Sequence, residues 1–311
     1  MDNFADRLSD AICRKASRVM VGIDPVPDRF PSCLMSAAGR RHGRSRRAVA
    51  WALQEFGRLV IDEVHQVAAA VKFQVAFYEQ WGVPGWAALA SSLGYARRRG
   101  LLTVVDAKRG DIGTTAQAYA GAFLEGTGGY GRSFPPPFAA DALTINPFLG
   151  TDAMAPLVDA AIANGRGVFV LVKTSNPGSS DLQDRSLTGG GTVTGAVAQL
   201  VTELAAPHVG DCGYSPVGAV VGATFPEVIA ALRQSMPQSF FLLPGYGAQG
   251  GGPAGLAAAF DRQGLGAVVS SSRGVIYAYG AVSATLDEVR SSIAQAARDF
   301  RDQVNAAVHR C

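Results

Sequence analysis

Short apolar runs of strand character recur along this chain, and each is followed by a longer alanine- and leucine-rich segment of helical character. The predicted strands lie near Val19–Asp24, Ala70–Gln74, Leu101–Lys108, Ala142–Asn146, Gly167–Lys173, Gly218–Gly222, Phe240–Leu243 and Gly266–Ser270. The predicted helices lie near residues 47–66, 83–99, 113–125, 151–163, 191–206, 225–235, 252–262 and 280–308. Because the strands are mostly without polar alternation, we expect a parallel sheet that is covered on both faces.

Eight strands that alternate with eight helices predict an α/β fold, and a closed (β/α)8 TIM barrel is the favoured architecture. A doubly wound open sheet is the alternative. With 311 residues, of which 48% are hydrophobic, the chain can build one large core. We therefore expect a single barrel domain over residues 1–311, although a division into two domains stays open. Irregular stretches predict loop insertions near residues 25–45, 126–141 and 175–191.

Composition and charge narrow the class of ligand and the cellular setting. A net charge of +3 is too small to indicate a nucleic-acid partner, and the basic run at residues 40–47 is more typical of a solvated helix face, so we expect a small metabolite as ligand. Four scattered cysteines without CxxC spacing predict neither a zinc site nor a disulfide framework, which suits the cytoplasm. No apolar run reaches the roughly 18 residues of a membrane helix, and no signal peptide is recognised, so no membrane partner is expected.

The segment 103–115 is an apolar strand that ends in three closely spaced charges of opposite sign. Alternation along the strand puts Asp106 and Lys108 on one face, and a turn through Gly110 then presents Asp111 beside them. Two carboxylates that flank one ammonium create a strong local field, and groups perturbed in this way cluster at functional sites. The segment is therefore a candidate catalytic site, with a surface ion-pair cluster of little energetic importance as the alternative.

Polar side chains collect where the predicted strands end. They are Asp24, Lys72, Asp106, Lys108, Asn146, Lys173, Ser175 and Arg273. In a TIM barrel the carboxyl ends of all strands meet at one face, where the active site lies. This distribution favours the barrel over the open sheet and predicts one polar pocket.

A glycine-rich loop follows the seventh predicted strand, between Pro244 and Gly252. It contains a GxGxxG pattern, but a Rossmann interpretation fails because the match lies late in the chain and no ribose-binding acid follows the next strand. Together with Arg273 after the eighth strand, the loop instead predicts the phosphate site that barrels build from their last two loops, with Gln249 as a further donor. A flexible turn with a surface arginine is the alternative.

Seven motifs follow one another between residues 19 and 280: Gly22-Ile-Asp24-Pro, Val71-Lys72-Phe-Gln, Asp106-Ala-Lys108-Arg-Gly-Asp111-Ile, Asp141-Ala-Leu-Thr-Ile-Asn146-Pro, Thr174-Ser175-Asn-Pro-Gly, Pro244-Gly-Tyr-Gly-Ala-Gln249-Gly-Gly and Ser272-Arg273-Gly. In this order they resemble the orotidine 5′-phosphate decarboxylase family, in its longer, mycobacterial-type (type 2) branch. The resemblance implies decarboxylation of orotidine 5′-monophosphate to uridine 5′-monophosphate, the last step of pyrimidine synthesis. It also implies a homodimer that needs no cofactor and no metal.

The resemblance implies a role for each residue of the charged set. Lys108 would donate the proton to C6 of the pyrimidine, and Asp106 would lie next to the departing carboxylate. Lys72 and Asp24 match the family's ribose contacts and complete the charged network. Asp111, together with Thr115, matches positions that the family lends to the active site of the neighbouring subunit.

The resemblance also assigns the contacts to the rest of the substrate. Ser175 would contact the pyrimidine, while Gln249 and Arg273 would hold the phosphate. Gly245 and Gly247 belong to the matching phosphate loop. The chain departs from the family pattern mainly in the long stretches at residues 25–45 and 126–141, so the departures concern loops and leave the expected chemistry unchanged.

Two other functions stay open on the sequence alone. Similar barrels that act on sugar phosphates also carry an Asp-x-Lys-x-x-Asp block, but they typically need Mg²⁺ and an acidic ligand near the second strand. Here that strand ends in Lys72-Phe-Gln74, and no carboxylate follows before Glu79. A non-catalytic nucleotide-binding regulator is the other option, although such a chain would be expected to lose part of the charged set.

Overall fold

The computed structural model describes residues 3–247 and 255–308. Eight parallel strands close into a barrel, and they are β1 (Val19–Ile23), β2 (Ala70–Gln74), β3 (Leu102–Arg109), β6 (Ala142–Ile145), β7 (Gly167–Lys173), β8 (Ser215–Val221), β9 (Ser239–Leu243) and β10 (Ala267–Ser271). The intervening strands β4 (Thr127–Gly129) and β5 (Arg132–Phe134) form a separate antiparallel hairpin. Each barrel strand pairs with the next, and β10 closes the ring on β1. The predicted TIM barrel is confirmed, and the open sheet is wrong.

The barrel strands are buried because helices cover their outer faces and side chains fill the interior. Every residue of β1, β8 and β9 is buried. A strand that meets no water on either face needs apolar residues at successive positions, which explains the missing polar alternation in the sequence.

Eleven α-helices are found in the described parts of the chain: α1 (Phe4–Lys15), α2 (Ser32–His42), α3 (Arg46–Val64), α4 (Ala76–Glu79), α5 (Val83–Arg98), α6 (Gly113–Ala120, continued by a π-helical turn, Gly121–Glu125), α7 (Thr151–Ala163), α8 (Val193–Ala205), α9 (Pro226–Ser235), α10 (Arg273–Ile276) and α11 (Leu286–Val308). Hydroxyl side chains start two of them, because Ser45 caps α3 and Thr192 caps α8. None of the helices within these residues is both long and apolar enough to cross a bilayer.

Helix α1 closes the amino-terminal end of the barrel. Its buried residues Phe4, Leu8 and Ile12 pack with Phe169 and Phe240, which lie near the starts of their strands, in a core cluster of their own. The rings of Phe4 and Phe169 meet edge to face with centroids 6.0 Å apart. This plug leaves the carboxyl-terminal end as the open end of the barrel.

Two of the three stretches predicted as irregular contain regular structure. Residues 25–45 hold α2, and residues 126–141 hold the β4–β5 hairpin. The hairpin turns through Tyr130 and Gly131, both with positive φ (53° and 72°), as the tight turns that join antiparallel strands require. The third stretch holds only a short 3-10 turn, Pro177–Asp181, and an isolated bridge between Ser186 and Thr192.

The helix predicted at residues 252–262 is also different in the structure. The described part contains one 3-10 turn, Leu256–Ala259, and the chain leaves that turn with extended backbone at Phe260. The last predicted helix begins at Leu286, six residues later than expected. Periodicity in alanine-rich sequence therefore overestimated helix length at both places.

Candidate active site

A pocket of about 470 Å³ opens at the carboxyl-terminal end of the barrel, and all eight strands or the loops after them contribute to its walls. This volume suits a small-molecule ligand. Among the predicted site residues it brings together Asp24, Lys72, Asp106, Lys108, Ser175, Gly245 and Arg273. Six of the eight polar side chains that were predicted to converge at strand ends thus line this pocket.

Asp106 is the centre of the hydrogen-bond network at the pocket floor. Its Oδ2 accepts from Lys72 Nζ at 2.9 Å and from Gln74 Nε2 at 3.0 Å. Its Oδ1 accepts from Lys108 Nζ at 2.6 Å and from Thr144 Oγ1 at 3.0 Å. Burial alone would raise the pKa of Asp106, but the two lysine charges outweigh it and hold that pKa below its usual value. The carboxylate is therefore charged.

Lys72 connects Asp106 to a second carboxylate. The Lys72 side chain is 8% exposed, and its Nζ lies 3.9 Å from Asp24 Oδ1. Burial would lower the pKa of Lys72, yet the charges of Asp106 and Asp24 prevail and raise it above its usual value. Opposite charges thus alternate along the pocket floor in the order Asp24, Lys72, Asp106 and Lys108, which we call the charged row.

Lys108 ends the charged row and is its most accessible member. Its side chain is 43% exposed, against 11% for Asp106. Its backbone has φ +50°, a left-handed conformation that few residues other than glycine adopt. Strained backbone of this kind persists only where the surroundings hold it, and it is frequent at functional sites.

Asp111 and Thr115 lie away from the charged row of their own chain. The Asp111 carboxylate accepts a hydrogen bond from Ile112 N at 2.8 Å, and no ion pair joins it to Lys108 within the described residues. Thr115 is exposed on α6. The predicted turn through Gly110 would present Asp111 beside Lys108, but after Arg109 the chain runs toward the loop that follows β6, where Arg109 O accepts from Asn146 N at 2.8 Å. Their part in catalysis stays a prediction.

Two further polar residues at strand ends do not line the pocket. Lys173 is 1% exposed and is bound by Asp184 at 2.7 and 2.8 Å, with the Phe225 ring centroid 4.6 Å away. The expectation that it reaches the pocket is wrong because the β7–β8 register shifts between Leu171 and Lys173. Asn146 is also outside the lining, and its side chain accepts from Phe148 N at 3.0 Å.

The predicted phosphate end of the pocket is only partly described. Gly245 and Gly247 have φ of 95° and 74°, so the loop after β9 needs glycine at both positions. Arg273 begins α10 and is exposed at the pocket wall. Gln249 lies outside the described residues.

The loops that carry Asp24 and Ser175 are held by neighbouring side chains. Tyr277, four residues after Arg273, donates to Asp24 O at 3.0 Å and accepts from Val26 N at 2.6 Å. Burial, above all, raises the pKa of Tyr277 to about 12, so its hydroxyl stays protonated. Next to Ser175, Thr174 exchanges two hydrogen bonds of 2.9 Å with the Gln183 side chain.

Three residues of the site were missed by the sequence interpretation. Gln74 could have been found, because it lies two residues after Lys72 and strand alternation puts both on one face. Thr144 and Tyr277 gave no comparable signal, since their partners are far away in the chain. Among the described residues, no group of three or more His, Cys, Asp or Glu side chains is arranged to hold a metal ion.

Known proteins match the chain over nearly its whole length. The family model described as Orotidine 5′-phosphate decarboxylase / HUMPS family matches residues 19–287. Curated relatives named orotidine 5′-phosphate decarboxylase include one from Rhodopirellula baltica, 42% identical and covering 99% of this chain and 97% of the relative. Another, from Deinococcus radiodurans, is 40% identical and covers 98% of each chain. The solved structure of Leishmania donovani OMP decarboxylase is similar with a TM-score of 0.72 at 30% identity, covering 99% of this chain and 100% of that one.

These matches decide the question of family. The curated relatives bear the name of a carboxy-lyase, which confirms the predicted enzyme class at the level of the family. The mycobacterial-type branch stays a prediction, since these matches do not separate the branches. The family match and the full-length relatives together show that this chain belongs to the orotidine 5′-phosphate decarboxylase / HUMPS family.

Proposed function

We propose that this chain decarboxylates orotidine 5′-monophosphate to uridine 5′-monophosphate without a cofactor. The observation that carries the proposal is the charged row, in which Asp106 accepts from Lys72 at 2.9 Å and from Lys108 at 2.6 Å at the floor of the pocket. The names of the full-length relatives support the choice of substrate.

The charged row suits the difficult step of this reaction. When the bond between C6 and the carboxylate breaks, CO₂ leaves and the electron pair stays on C6, in a ring-plane orbital that the pyrimidine carbonyls cannot delocalise. The developing charge has to be met electrostatically, and preorganised groups in a water-poor pocket do this best. The Lys108 ammonium would stabilise the carbanion and then transfer its proton to C6, after which the amine regains a proton from solvent.

The remaining lining residues would hold the substrate. Asp24 and Lys72 would contact the ribose, and Ser175 the pyrimidine. Arg273 and the loop at Gly245 and Gly247 would bind the phosphate, and we assign Gln249 to the same group on the strength of its motif. Binding energy from the phosphate can assist the distant bond cleavage when it organises the charged row.

We propose that two chains form a homodimer in which Asp111 and Thr115 of each enter the site of the other. Support comes from the surface around them, where Ile112, Phe148 and Leu149 are 58%, 76% and 48% exposed. These side chains belong to the neighbouring loops after β3 and β6. Large apolar side chains exposed together are typical of a surface that binds a partner. We expect the dimer to be cytoplasmic, as the cysteine pattern suggests.

Loss of pyrimidine absorbance on mixing the purified protein with orotidine 5′-monophosphate tests the activity. We expect turnover in EDTA and no gain from added Mg²⁺. An inactive but folded protein would refute the proposal, and activity on a sugar phosphate that depends on Mg²⁺ would favour the other enzyme class of this barrel.

Complementation tests the shared site. Inactive Lys108→Ala and Asp111→Ala chains are unfolded together and refolded, so that half of the dimers are expected to be mixed. Each mixed dimer has one site with both defects and one intact site, so activity should recover to about a quarter of wild type per site. If Asp111 serves its own chain, the mixture stays inactive although native mass spectrometry shows exchange, and the shared site is wrong while the decarboxylase assignment stands.

A further inference from the structure

We infer that Thr144 is a positioning residue that holds Lys108 and Asp106 in their working geometry. The kinetic part of this inference rests on the proposed function. Thr144 lies in β6 and is 1% exposed. It touches the two charged residues through one hydroxyl group, and neither the motifs nor the family match assigns it a role.

The need for such a residue arises from an irregularity in β3. Val105 pairs with Leu143 and Arg109 with Ile145, so four steps along β3 correspond to two steps along β6. The extra residues form a bulge that contains Lys108 with its left-handed backbone. A bulge removes backbone N–H groups from the regular ladder, and a buried N–H group requires another acceptor.

The Thr144 hydroxyl is that acceptor. Lys108 N donates to Thr144 Oγ1 at 2.9 Å. Because this contact uses a lone pair, the hydroxyl proton is free to point at Asp106 Oδ1, 3.0 Å away. Asp106 Oδ1 also accepts from Lys108 Nζ at 2.6 Å. One closed ring of hydrogen bonds thus fixes both the backbone and the ammonium of Lys108.

This ring matters because proton transfer depends on the position of Nζ. Without the hydroxyl, Lys108 N loses its acceptor and the left-handed backbone loses the contact that holds it. A displacement of about 1 Å at a reacting group can slow a reaction by about 10²-fold. Thr144 would therefore act on turnover from the pocket wall, through the position that it gives to Lys108.

Thr103 provides a matched control in the same pair of strands. Its hydroxyl accepts from Asp141 N at 3.2 Å and donates to Asp141 Oδ2 at 2.9 Å. Thr103 is 0% exposed and lies near the opposite, amino-terminal end of the barrel. Both threonines therefore accept from a backbone N–H and donate to a carboxylate, but only Thr144 does so beside Lys108.

The kinetic experiment compares Thr144→Val, Thr144→Ser and Thr103→Val with orotidine 5′-monophosphate. We expect Thr144→Val to lower kcat about 10- to 100-fold, the value of one hydrogen bond to a charged group, with little change in KM. Thr144→Ser keeps the hydroxyl and should retain most of kcat. Thr103→Val should lower the melting temperature and leave kcat unchanged.

A second measurement does not depend on activity. The chain has four lysines, so ¹⁵N-lysine labelling gives one backbone amide signal for each. In Thr144→Val the Lys108 amide should shift and exchange faster with solvent, because it has lost its acceptor. The amides of Lys15, Lys72 and Lys173 should be unaffected, and all four should be unaffected in Thr103→Val.

The outcomes separate this inference from the proposed function. An inactive wild type would overturn the function, while the Lys108 amide would still test Thr144. Wild-type kcat in Thr144→Val, an unchanged Lys108 amide, or an equal loss in Thr144→Ser would each overturn the inference. If Thr144→Val does not fold, Thr144→Ala replaces it in the comparison with Thr144→Ser.

Discussion

Asp106 and Asp141 lie at opposite ends of the β3–β6 strand pair, and the comparison of their surroundings separates chemistry from support. Asp106 binds two lysines, at 2.9 and 2.6 Å, and faces the pocket. Asp141 binds Arg7 at 2.6 Å and accepts from the backbone and hydroxyl of Thr103, both at 2.9 Å. Each carboxylate joins the same two strands, but their cations differ in kind.

The two cations, Arg7 and Lys108, differ in whether they can release a proton. The Arg7 guanidinium is shared between Asp141 and Gly165 O, and arginine keeps its proton in proteins. It therefore acts as a tie that fastens α1 to the barrel. Lys108 has an accessible ammonium that can release a proton and regain it. A carboxylate paired with a cation thus fastens the fold at one end and holds an accessible lysine in the pocket at the other.

The largest effect on turnover is expected from replacement of Lys108, at the carboxyl-terminal end of the barrel. Lys108→Ala should lower turnover by more than about 10³-fold, because it removes both the cation and the proton donor at C6. Its circular dichroism spectrum and melting temperature should stay near wild type. Turnover within tenfold of wild type, on folded protein, would contradict the assignment.

Arg273→Ala should produce a smaller kinetic effect that depends on the substrate's phosphate. Charge-assisted contacts contribute about 1.5–3 kcal/mol, so kcat/KM for orotidine 5′-monophosphate should fall about 10- to 100-fold. With orotidine, which has no phosphate, the variant and the wild type should be alike. An equal loss with both substrates would show that Arg273 supports the fold, like Arg7 at the other end.

Asp141→Asn, at the amino-terminal end, should lower stability and leave turnover unchanged, which is the opposite of the result expected for Lys108→Ala. The amide loses the charge that Arg7 and Thr103 bind, so the free energy of unfolding should fall by about 1–3 kcal/mol in urea titrations. The kcat should stay near wild type, because Asp141 lies at the far end of the barrel from the pocket. A loss of kcat without a loss of stability would show that Asp141 does not have the purely supporting role that distinguishes it from Asp106.

The smallest effect is expected from Lys15, whose Nζ donates to His65 O and Ala68 O at 2.7 Å each. Burial and then Arg14 lower the pKa of Lys15 from 10.5 to about 8. Between these values the unfolded chain binds more protons, so stability should rise with pH between pH 7.5 and 9, by less than about 1 kcal/mol because solvent screens the partly exposed ammonium. Urea titrations at several pH values should show that the free energy of unfolding rises with pH in the wild type and rises less in Lys15→Met. An equal rise in both proteins would show that Lys15 is not its source.

Asp106 and Lys72 should not change the dependence of stability on pH in that range. The lowered pKa of Asp106 stabilises the fold above its unfolded value of 3.8, and this contribution is lost as the pH falls below it. The raised pKa of Lys72 gives a contribution that is fully present below 10.5 and is lost at higher pH. Between these limits, Asp106 and Lys72 contribute a constant stability.

The strands and the charged residues of the pocket could be predicted because their signals are local. The bounds of β2 and β7 agree with the predicted ones, and Asp24, Lys72 and Asp106 reach the pocket because strand ends converge. Helix α1 was overlooked, although Asn3 and the spacing of its apolar residues are a readable helix signal.

The remaining features depend on register, which a single sequence does not show. Lys173 has the same kind of strand-end position as Lys72, yet a shift in register carries it to Asp184. Thr144 meets Lys108 across 36 positions of the chain, and their contact lies at the bulge in β3. Bulges and register arise from packing between strands and leave no local pattern.

Lysine usage has a practical consequence for chemical modification. The chain has 28 basic residues but only four lysines, so arginine supplies most of its positive charge. Lys72 and Lys173 are almost fully enclosed, with side chains 8% and 1% exposed, and Lys15 is partly buried. Lys108 is 43% exposed at the pocket. Among these lysines, amine-directed reagents, from acylating labels to immobilisation resins, therefore meet the pocket lysine first, and a ligand bound in the pocket would shield that lysine from them.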